Sequence, residues 1–130
     1  MQLLDSKRAI LPMHAGAVAR RDYEYVRCGT ANLFCAVEPR AGRHFVKATR
    51  SRKAADFAEA VRDLAHRYPK ARKIHLVLDN LNVHTRFSLT RRFGWKQGLR
   101  LWNRFCVHYT PVHGSWLNQA EIEVSLVSRQ

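Results

Sequence analysis

The feature that most constrains the fold is a short apolar run, Ile74–Leu78, which closely follows a strong helical pattern. Apolar residues recur at the i, i+3, i+4, i+7 spacing of an amphipathic helix from Ala54 to Tyr68. Ser51 is placed to cap the start of this helix, and Pro69 marks its end. The run that follows is typical of a strand buried in a parallel sheet. A helix that leads into such a strand predicts an α/β fold.

The remaining elements extend this α/β pattern. Further strands are predicted at residues 33–37, 44–49 and 105–109, with a short helix at 86–93. Strand fragments are predicted at Leu3-Leu4 and at residues 23–26. Gly94 and Gly98 are expected to interrupt regular secondary structure after the second helix. Residues 115–127 favour a final helix, although the alternation at 121–126 leaves a strand open. The predicted architecture is a mixed sheet flanked by helices.

The charge of the chain favours a polyanionic partner. The 130 residues carry 23 Lys and Arg against 10 Asp and Glu, a net charge of +13. Since no apolar run approaches the ~20 residues of a membrane span, nucleic acid is the favoured partner and a membrane is not. The three cysteines form no C-x-x-C pair, which indicates a reduced, intracellular chain.

The basic residues fall into two clusters. Eleven Lys or Arg lie between residues 40 and 73, and six lie between residues 86 and 104, where Trp95 and Trp102 interleave them. Long cations can contact phosphates and aromatic rings can stack on exposed bases. An equally good interpretation makes the two tryptophans anchors of the core or of an interface.

Two acids stand apart in this basic sequence. Asp79 closes the apolar run, no acid follows until Glu121, and six Lys or Arg lie between them. Phosphodiester chemistry commonly uses two divalent ions about 3.5–4 Å apart, held by carboxylates from separate elements. Ligand sites in open α/β sheets lie beyond the carboxyl ends of strands. We therefore predict that Asp79 and Glu121 bind metal, with a turn-forming Asp79-Asn80 pair as the structural alternative.

Glu123 competes with Glu121 for the second role. On a helix the two residues are about 200° apart, so only one can face the site, and the position of Glu121 beside the apolar stripe favours it. On a strand both acids would share one face and this distinction would be lost.

Four histidines raise the question of a zinc site: His75, His84, His108 and His113. His84 and His113 flank the two acids, where they could contact DNA or water or simply lie at the surface. Cys106, His108 and His113 do not follow a common zinc-ligand spacing, so no zinc site is predicted. A Cys106–His108 hydrolase is disfavoured because both residues share one face of a strand, with no third group to orient them.

Two longer motifs carry a family resemblance. Residues 78–84 (LDNLNVH) and 108–121 (HYTPVHGSWLNQAE), with Asn118 three positions before Glu121, resemble the bacterial insertion-sequence transposases related to mariner elements. Those proteins belong to the DDE superfamily of endonucleases. Residues 21–25 and 29–34 also look similar, so the resemblance covers nearly the whole chain.

The resemblance implies a ribonuclease-H-like fold and the chemistry of DNA transposition. Asp79 matches the second catalytic acid of the family and Glu121 matches the third. With a first Asp they would hold Mg²⁺ or Mn²⁺ in a two-metal site. Water would then cleave DNA at the terminal inverted repeats of the element, and the freed 3′-hydroxyl would attack target DNA. The implied setting is the bacterial cytoplasm, in association with the nucleoid, and a homodimer is left open.

The chain departs from the family pattern at its start. The first acid of the family lies in the first strand, just before the position of Met1, and Asp5 is the only acid near enough to replace it. The chain also stops inside the expected last helix. Residues 1–130 are thus expected to form one DDE transposase catalytic domain, incomplete at both ends and impaired in activity.

Two other functions stay open at this stage. One is a catalytically inactive remnant of a transposase that binds DNA through its basic surface, in a manner that depends strongly on salt. The other is a ribonuclease-H-like nuclease that acts on RNA–DNA hybrids.

Overall fold

The computed structural model describes residues 2–6, 12–18, 25–112 and 120. Its elements, in chain order, are β1 (Gln2–Ser6), β2 (Tyr25–Thr30), β3 (Asn32–Glu38), β4 (Arg43–Thr49), α1 (Ala54–Arg67), β5 (Ile74–Leu78), α2 (Arg86–Phe93), α3 (Trp95–Trp102) and β6 (Phe105–Tyr109). The predicted α/β composition is confirmed, and the bounds of α1, β5, α2 and β6 agree with those predicted to within one residue.

The described strands pair in three two-stranded ladders. β1 pairs antiparallel with β2, β3 pairs antiparallel with β4, and β5 pairs parallel with β6. The strands predicted at residues 33–37 and 44–49 are therefore confirmed and form a hairpin, and both kinds of pairing occur. Among the described strands the three ladders do not join into the single mixed sheet that was predicted. The ribonuclease-H-like arrangement stays a prediction.

The core lies between α1, α2 and the β5–β6 ladder. Its most buried side chains are Phe57, Ala58, Val61, Ala65, Leu89 and Phe105. Alternation along β5 directs Ile74, Leu76 and Leu78 toward this core, while His75 and Val77 are exposed. The apolar stripe of α1 thus packs as its periodicity predicted, and it supports the ladder that carries Asp79.

The start of α1 differs in detail from the sequence prediction. The helix begins after Lys53, whose backbone N–H donates to Asp56 Oδ2 at 3.1 Å. Ser51, the predicted cap, instead donates its hydroxyl to the same carboxylate oxygen. The predicted capping role of Ser51 was wrong, because Asp56 in the first turn reaches back to the free N–H group and Ser51 supports the acid.

Arg104 stabilises the other end of α1. Its guanidinium donates to the carbonyl oxygens of Ala65 and Tyr68, at 3.0 and 2.6 Å, and to that of Ala71 at 3.4 Å. The last carbonyls of a helix have no partner within the helix, and a cation there also interacts well with the helix dipole. Although Arg104 belongs to the second basic cluster, it is a structural residue.

Helix α3 was not predicted. Gly94 does end α2, with φ of 81°, but Gly98 is buried inside α3. A Cβ atom at Gly98 would lie 2.5 Å from Thr90 Cα and 2.6 Å from the carbonyl carbon and oxygen of Leu89. Gly98 is therefore no helix breaker: its missing side chain allows α3 to pack directly on the backbone of α2.

Candidate metal and nucleic-acid site

Asp79 follows the last residue of β5, at the carboxyl end of the parallel β5–β6 ladder. Two hydrogen bonds join the ends of the strands. The N–H of Thr110 donates to the carbonyl oxygen of Leu78 at 2.9 Å, and the side-chain amide of Asn80 donates to the carbonyl oxygen of Thr110. Asn80 therefore ties the segment after β5 to the end of β6, which leaves the neighbouring Asp79 at a well-defined position.

The side chain of Asp79 faces His84. Asp79 Oδ1 and His84 Nδ1 are within ion-pair distance, and the two side chains are only 22% and 12% exposed. Both atoms are buried, and neither has a hydrogen bond to another group among the described residues. The sequence predicted DNA, water or solvent as the environment of His84; in the structure it contacts the predicted metal ligand itself.

Three further contacts fix the position of His84. Its ring stacks on Phe57 of the core at 4.5 Å between centroids. The backbone N–H of His84 donates to the carbonyl oxygen of Leu81 at 2.8 Å, and the backbone carbonyl oxygen of His84 accepts a hydrogen bond from the Tyr109 hydroxyl at 2.7 Å. Burial raises the pKa of Tyr109, so its hydroxyl stays protonated and can donate at neutral pH. The loop between β5 and α2 is thus anchored to both the core and β6.

The donor chemistry at Asp79 suits a hard divalent cation. A carboxylate oxygen is the ligand type that Mg²⁺ and Mn²⁺ prefer, and Asp79 Oδ1 is buried with the His84 ring nitrogen beside it. From Asn80 to Val112 the sequence contains no other acid. Any further carboxylate at this site must come from another part of the chain.

The other predicted acids are not brought to Asp79 by the described residues. Glu121, Glu123 and His113 lie outside the described residues, and their roles stay predictions. Asp5 is in β1, opposite Val26 of β2, and this ladder has no backbone pairing to β5 or β6. The alternative of a turn-forming Asp-Asn pair receives partial support from Asn80, since its side chain closes the strand end.

The two tryptophans of the second basic cluster have different environments. Trp102 packs against the core, whereas Trp95 is 64% exposed. Trp95 lines an open concave surface together with Lys96, Leu99, Arg100 and Asn103. Lys96 and Arg100 are exposed and have no ion-pair partner within the described part of the chain. A base-stacking role is therefore available to Trp95, and the anchoring role belongs to Trp102.

A second group of metal-binding residue types lies on the exposed face of the β5–β6 ladder. His75, Cys106 and His108 place one potential ligand atom each within 4.8 Å of one another. Among the four histidines considered, sequence spacing compared Cys106 and His108 with His113. It did not show that His75, on the neighbouring strand, lies beside Cys106 and His108. The register of two strands was the missing information.

These features define the class of the protein: a strongly basic α/β protein that presents a carboxylate at the end of a parallel strand pair and carries exposed cationic and aromatic side chains on α3. Residues 2–130 match the family of DDE superfamily endonucleases, and the chain belongs to that family. Comparisons with curated proteins and with solved structures found no match. Membership indicates a transposase-like nuclease function in general, with a DNA substrate and a divalent metal as is typical of the family. None of the described helices is long and apolar enough to cross a membrane.

Proposed function

We propose that this chain is the catalytic domain of a bacterial insertion-sequence transposase with a ribonuclease-H-like fold. It cleaves DNA at the terminal inverted repeats of its element and joins the freed 3′ end to target DNA. Residues 1–130 form one domain, which acts as a homodimer on the nucleoid in the cytoplasm. Asp79 and Glu121 are its metal ligands, and the metal is Mg²⁺ or Mn²⁺. The observation that carries the proposal is the partly buried carboxylate of Asp79 at the carboxyl end of β5 in a chain that matches this nuclease family.

The residues of the chain divide the work at this site. Asp79 and Glu121 would hold the cations, and the cations would supply positive charge to the phosphodiester oxygens during cleavage. His84 orients the Asp79 carboxylate, because its ring is fixed between Phe57 and that acid. Asn80 and Tyr109 hold the strand end and the following loop, so that the acid stays in place as substrate binds.

The basic surface supplies the contacts to DNA. Lys96 and Arg100 are exposed cations that pair with none of the described acids, and Trp95 beside them offers a flat ring to an unpaired base. Such a surface binds the phosphate backbone in a manner that weakens steeply with salt. Since strand transfer requires exposed DNA ends, an aromatic ring next to cations is a suitable contact for them.

A nicking assay tests the proposal. A labelled duplex that carries the element end is incubated with the protein in Mg²⁺ or Mn²⁺, and strand breaks are resolved by denaturing electrophoresis. We expect Asp79→Asn and Glu121→Gln each to abolish nicking, since each removes a charged oxygen ligand from the metal. Asp63→Asn is the control, because Asp63 pairs with Lys47 on another surface and should leave nicking unchanged. Nicking that survives both substitutions contradicts the assignment of these acids.

The same assay examines the first acid. Loss of nicking in Asp5→Asn supports Asp5 as the replacement for the first acid of the family, and unchanged nicking removes it from the site.

A second candidate function is DNA binding without catalysis, which the exposed Trp95, Lys96 and Arg100 favour. It predicts salt-dependent binding to any sequence and no nicking by the wild-type chain in either metal. Wild-type nicking that depends on Asp79 excludes this candidate. Cleavage of an RNA–DNA hybrid but not of the element end would instead identify a nuclease of different substrate.

A further inference from the structure

The exposed face of the β5–β6 ladder brings three metal-binding side chains together. In the parallel register His75 lies opposite Cys106, and Val77 lies opposite His108. All of these point away from the core face that carries Leu76 and Val107. His75 and His108 are exposed and Cys106 is partly buried, so that an ion from solvent can reach all three.

The spacing of the ligand atoms fits one tetrahedral ion. His75 Nδ1 and His108 Nε2 are 3.1 Å apart, and the three potential ligand atoms lie within 4.8 Å of one another. Zinc binds imidazole nitrogen at about 2.0–2.1 Å and thiolate sulfur at about 2.3 Å, so two nitrogens and one sulfur on a tetrahedron are about 3.3–3.6 Å apart. Since no two of the three ligand atoms are more than 4.8 Å apart, each distance has to change by little more than about 1 Å to reach these values.

A hydrogen bond between the two imidazoles accounts for only part of this arrangement. The rings are nearly parallel, with an interplanar angle of 11° and centroids 5.4 Å apart. One neutral ring could donate to the other, which explains the 3.1 Å contact. That bond gives no reason for a thiol at the same place, whereas a shared ion involves all three residues.

We propose that His75, Cys106 and His108 form a zinc site that bridges β5 and β6, with its fourth position open to solvent. Two imidazoles and a thiolate are the borderline and soft ligands that zinc prefers over Mg²⁺. The site is separate from the oxygen ligand Asp79. Because it cross-links neighbouring strands, bound zinc stabilises the ladder at whose end Asp79 lies, and the proposal does not depend on the proposed nuclease function.

Cobalt and zinc titrations of the full chain test the site. We expect one Co²⁺ per chain with the charge-transfer absorption of a cobalt–thiolate bond, displaced by one equivalent of Zn²⁺. Removing a partner outside the metal shell typically weakens binding about 10- to 100-fold, so loss of a direct ligand in His75→Ala or His108→Ala should weaken it at least that much. Cys106→Ser should remove the charge-transfer band.

Matched controls separate this site from other metal-binding side chains. Cys28→Ser and His44→Ala change exposed residues on β2 and β4 and should leave the band and the zinc affinity unchanged. Zinc should raise the melting temperature of the wild type but not that of His108→Ala. Because His108→Ala keeps the Cys106 thiol, it tests the site even if Cys106→Ser proves unstable.

Two results would overturn the proposal: an unchanged band in Cys106→Ser, or zinc affinities in both histidine variants equal to the wild type. Mg²⁺-dependent nicking that survives Cys106→Ser supports the independence of the two sites.

Discussion

Replacing Gly98 by alanine sets two physical effects against each other. In a helix interior, alanine is favoured over glycine by about 1 kcal/mol, so intrinsic propensity predicts a more stable α3. The packing predicts the reverse, because the new Cβ would lie 2.5–2.6 Å from backbone atoms of Leu89 and Thr90. Backbone atoms cannot rotate aside as the end of a side chain can, so α2 and α3 must move apart.

The size of the packing effect follows from where the clash falls. Overpacking a core costs about 1–3 kcal/mol, and a clash with backbone next to Leu89, whose side chain is fully buried, belongs at the upper end. After the propensity gain we expect a net loss of about 2 kcal/mol in the free energy of unfolding. For a domain of this size that is a fall of about 6–8 °C in the melting temperature.

Urea denaturation followed by circular dichroism measures this difference directly. Gln97→Ala is the matched control, since Gln97 is exposed on the same helix and its replacement should change stability by less than about 0.5 kcal/mol. A Gly98→Ala protein with an unchanged or higher urea midpoint would refute the close packing of α3 on α2.

Three further predictions concern a helix end, a tyrosine and the DNA surface. Arg104→Ala should lower the free energy of unfolding by about 2–4 kcal/mol in urea denaturation, because the carbonyls it binds near the end of α1 lose a charged donor. The hydrogen bond from the Tyr68 hydroxyl to Glu38, at 2.7 Å, raises the pKa of Tyr68 above its ordinary 10.0. The bond therefore stabilises the folded state fully below about pH 10, and this contribution is lost as the pH rises through the raised pKa. Tyr68→Phe should therefore cost about 1 kcal/mol at pH 7 and flatten the loss of stability in alkaline unfolding curves. Trp95→Ala should weaken single-stranded DNA binding by about 1–3 kcal/mol in fluorescence anisotropy, without a change in melting temperature.

Each of these has its own comparison. Arg100→Ala removes an exposed arginine, so a loss of stability as large as that of Arg104→Ala would contradict the capping role. Alkaline unfolding curves of wild type and Tyr68→Phe that run parallel would contradict the linkage to Glu38. Equal DNA affinity in Trp95→Ala and wild type would remove Trp95 from the nucleic-acid surface.

The sequence predicted those parts of the fold that depend on local periodicity. The stripe of α1 and the apolar run of β5 each contain their burial pattern within a few consecutive residues, so both could be found before any tertiary contact was known. Helix α3 could not be predicted, because a glycine in the local sequence indicates the end of a helix. The need for glycine at position 98 comes from its close contact with the backbone of α2. The partial burial of Arg104 was hidden in the same way, since a basic cluster does not show which of its members will meet a helix end.

The candidate site follows the same division. The position of Asp79 directly after an apolar strand was predicted and is seen in the structure. The metal-binding roles of Asp79 and Glu121 both stay predictions. The contact between Asp79 and His84 and the approach of His75 to Cys106 and His108 were not readable from spacing. The contact between Asp79 and His84 depends on the path of the loop after β5, and the grouping of His75 with Cys106 and His108 depends on the register of β5 and β6.

The β5–β6 ladder carries two sets of donors that differ in hardness. A carboxylate lies at its carboxyl end, and two imidazoles with a thiol lie on its exposed face. Mg²⁺ keeps its waters and selects oxygen, whereas Zn²⁺ selects nitrogen and sulfur. On our proposals, each ion therefore fills its own site when both are present, and millimolar Mg²⁺ leaves the cobalt–thiolate band in place. Zinc then acts on nicking only through the rigidity of the ladder, so its effect should disappear in His108→Ala while the requirement for Asp79 remains.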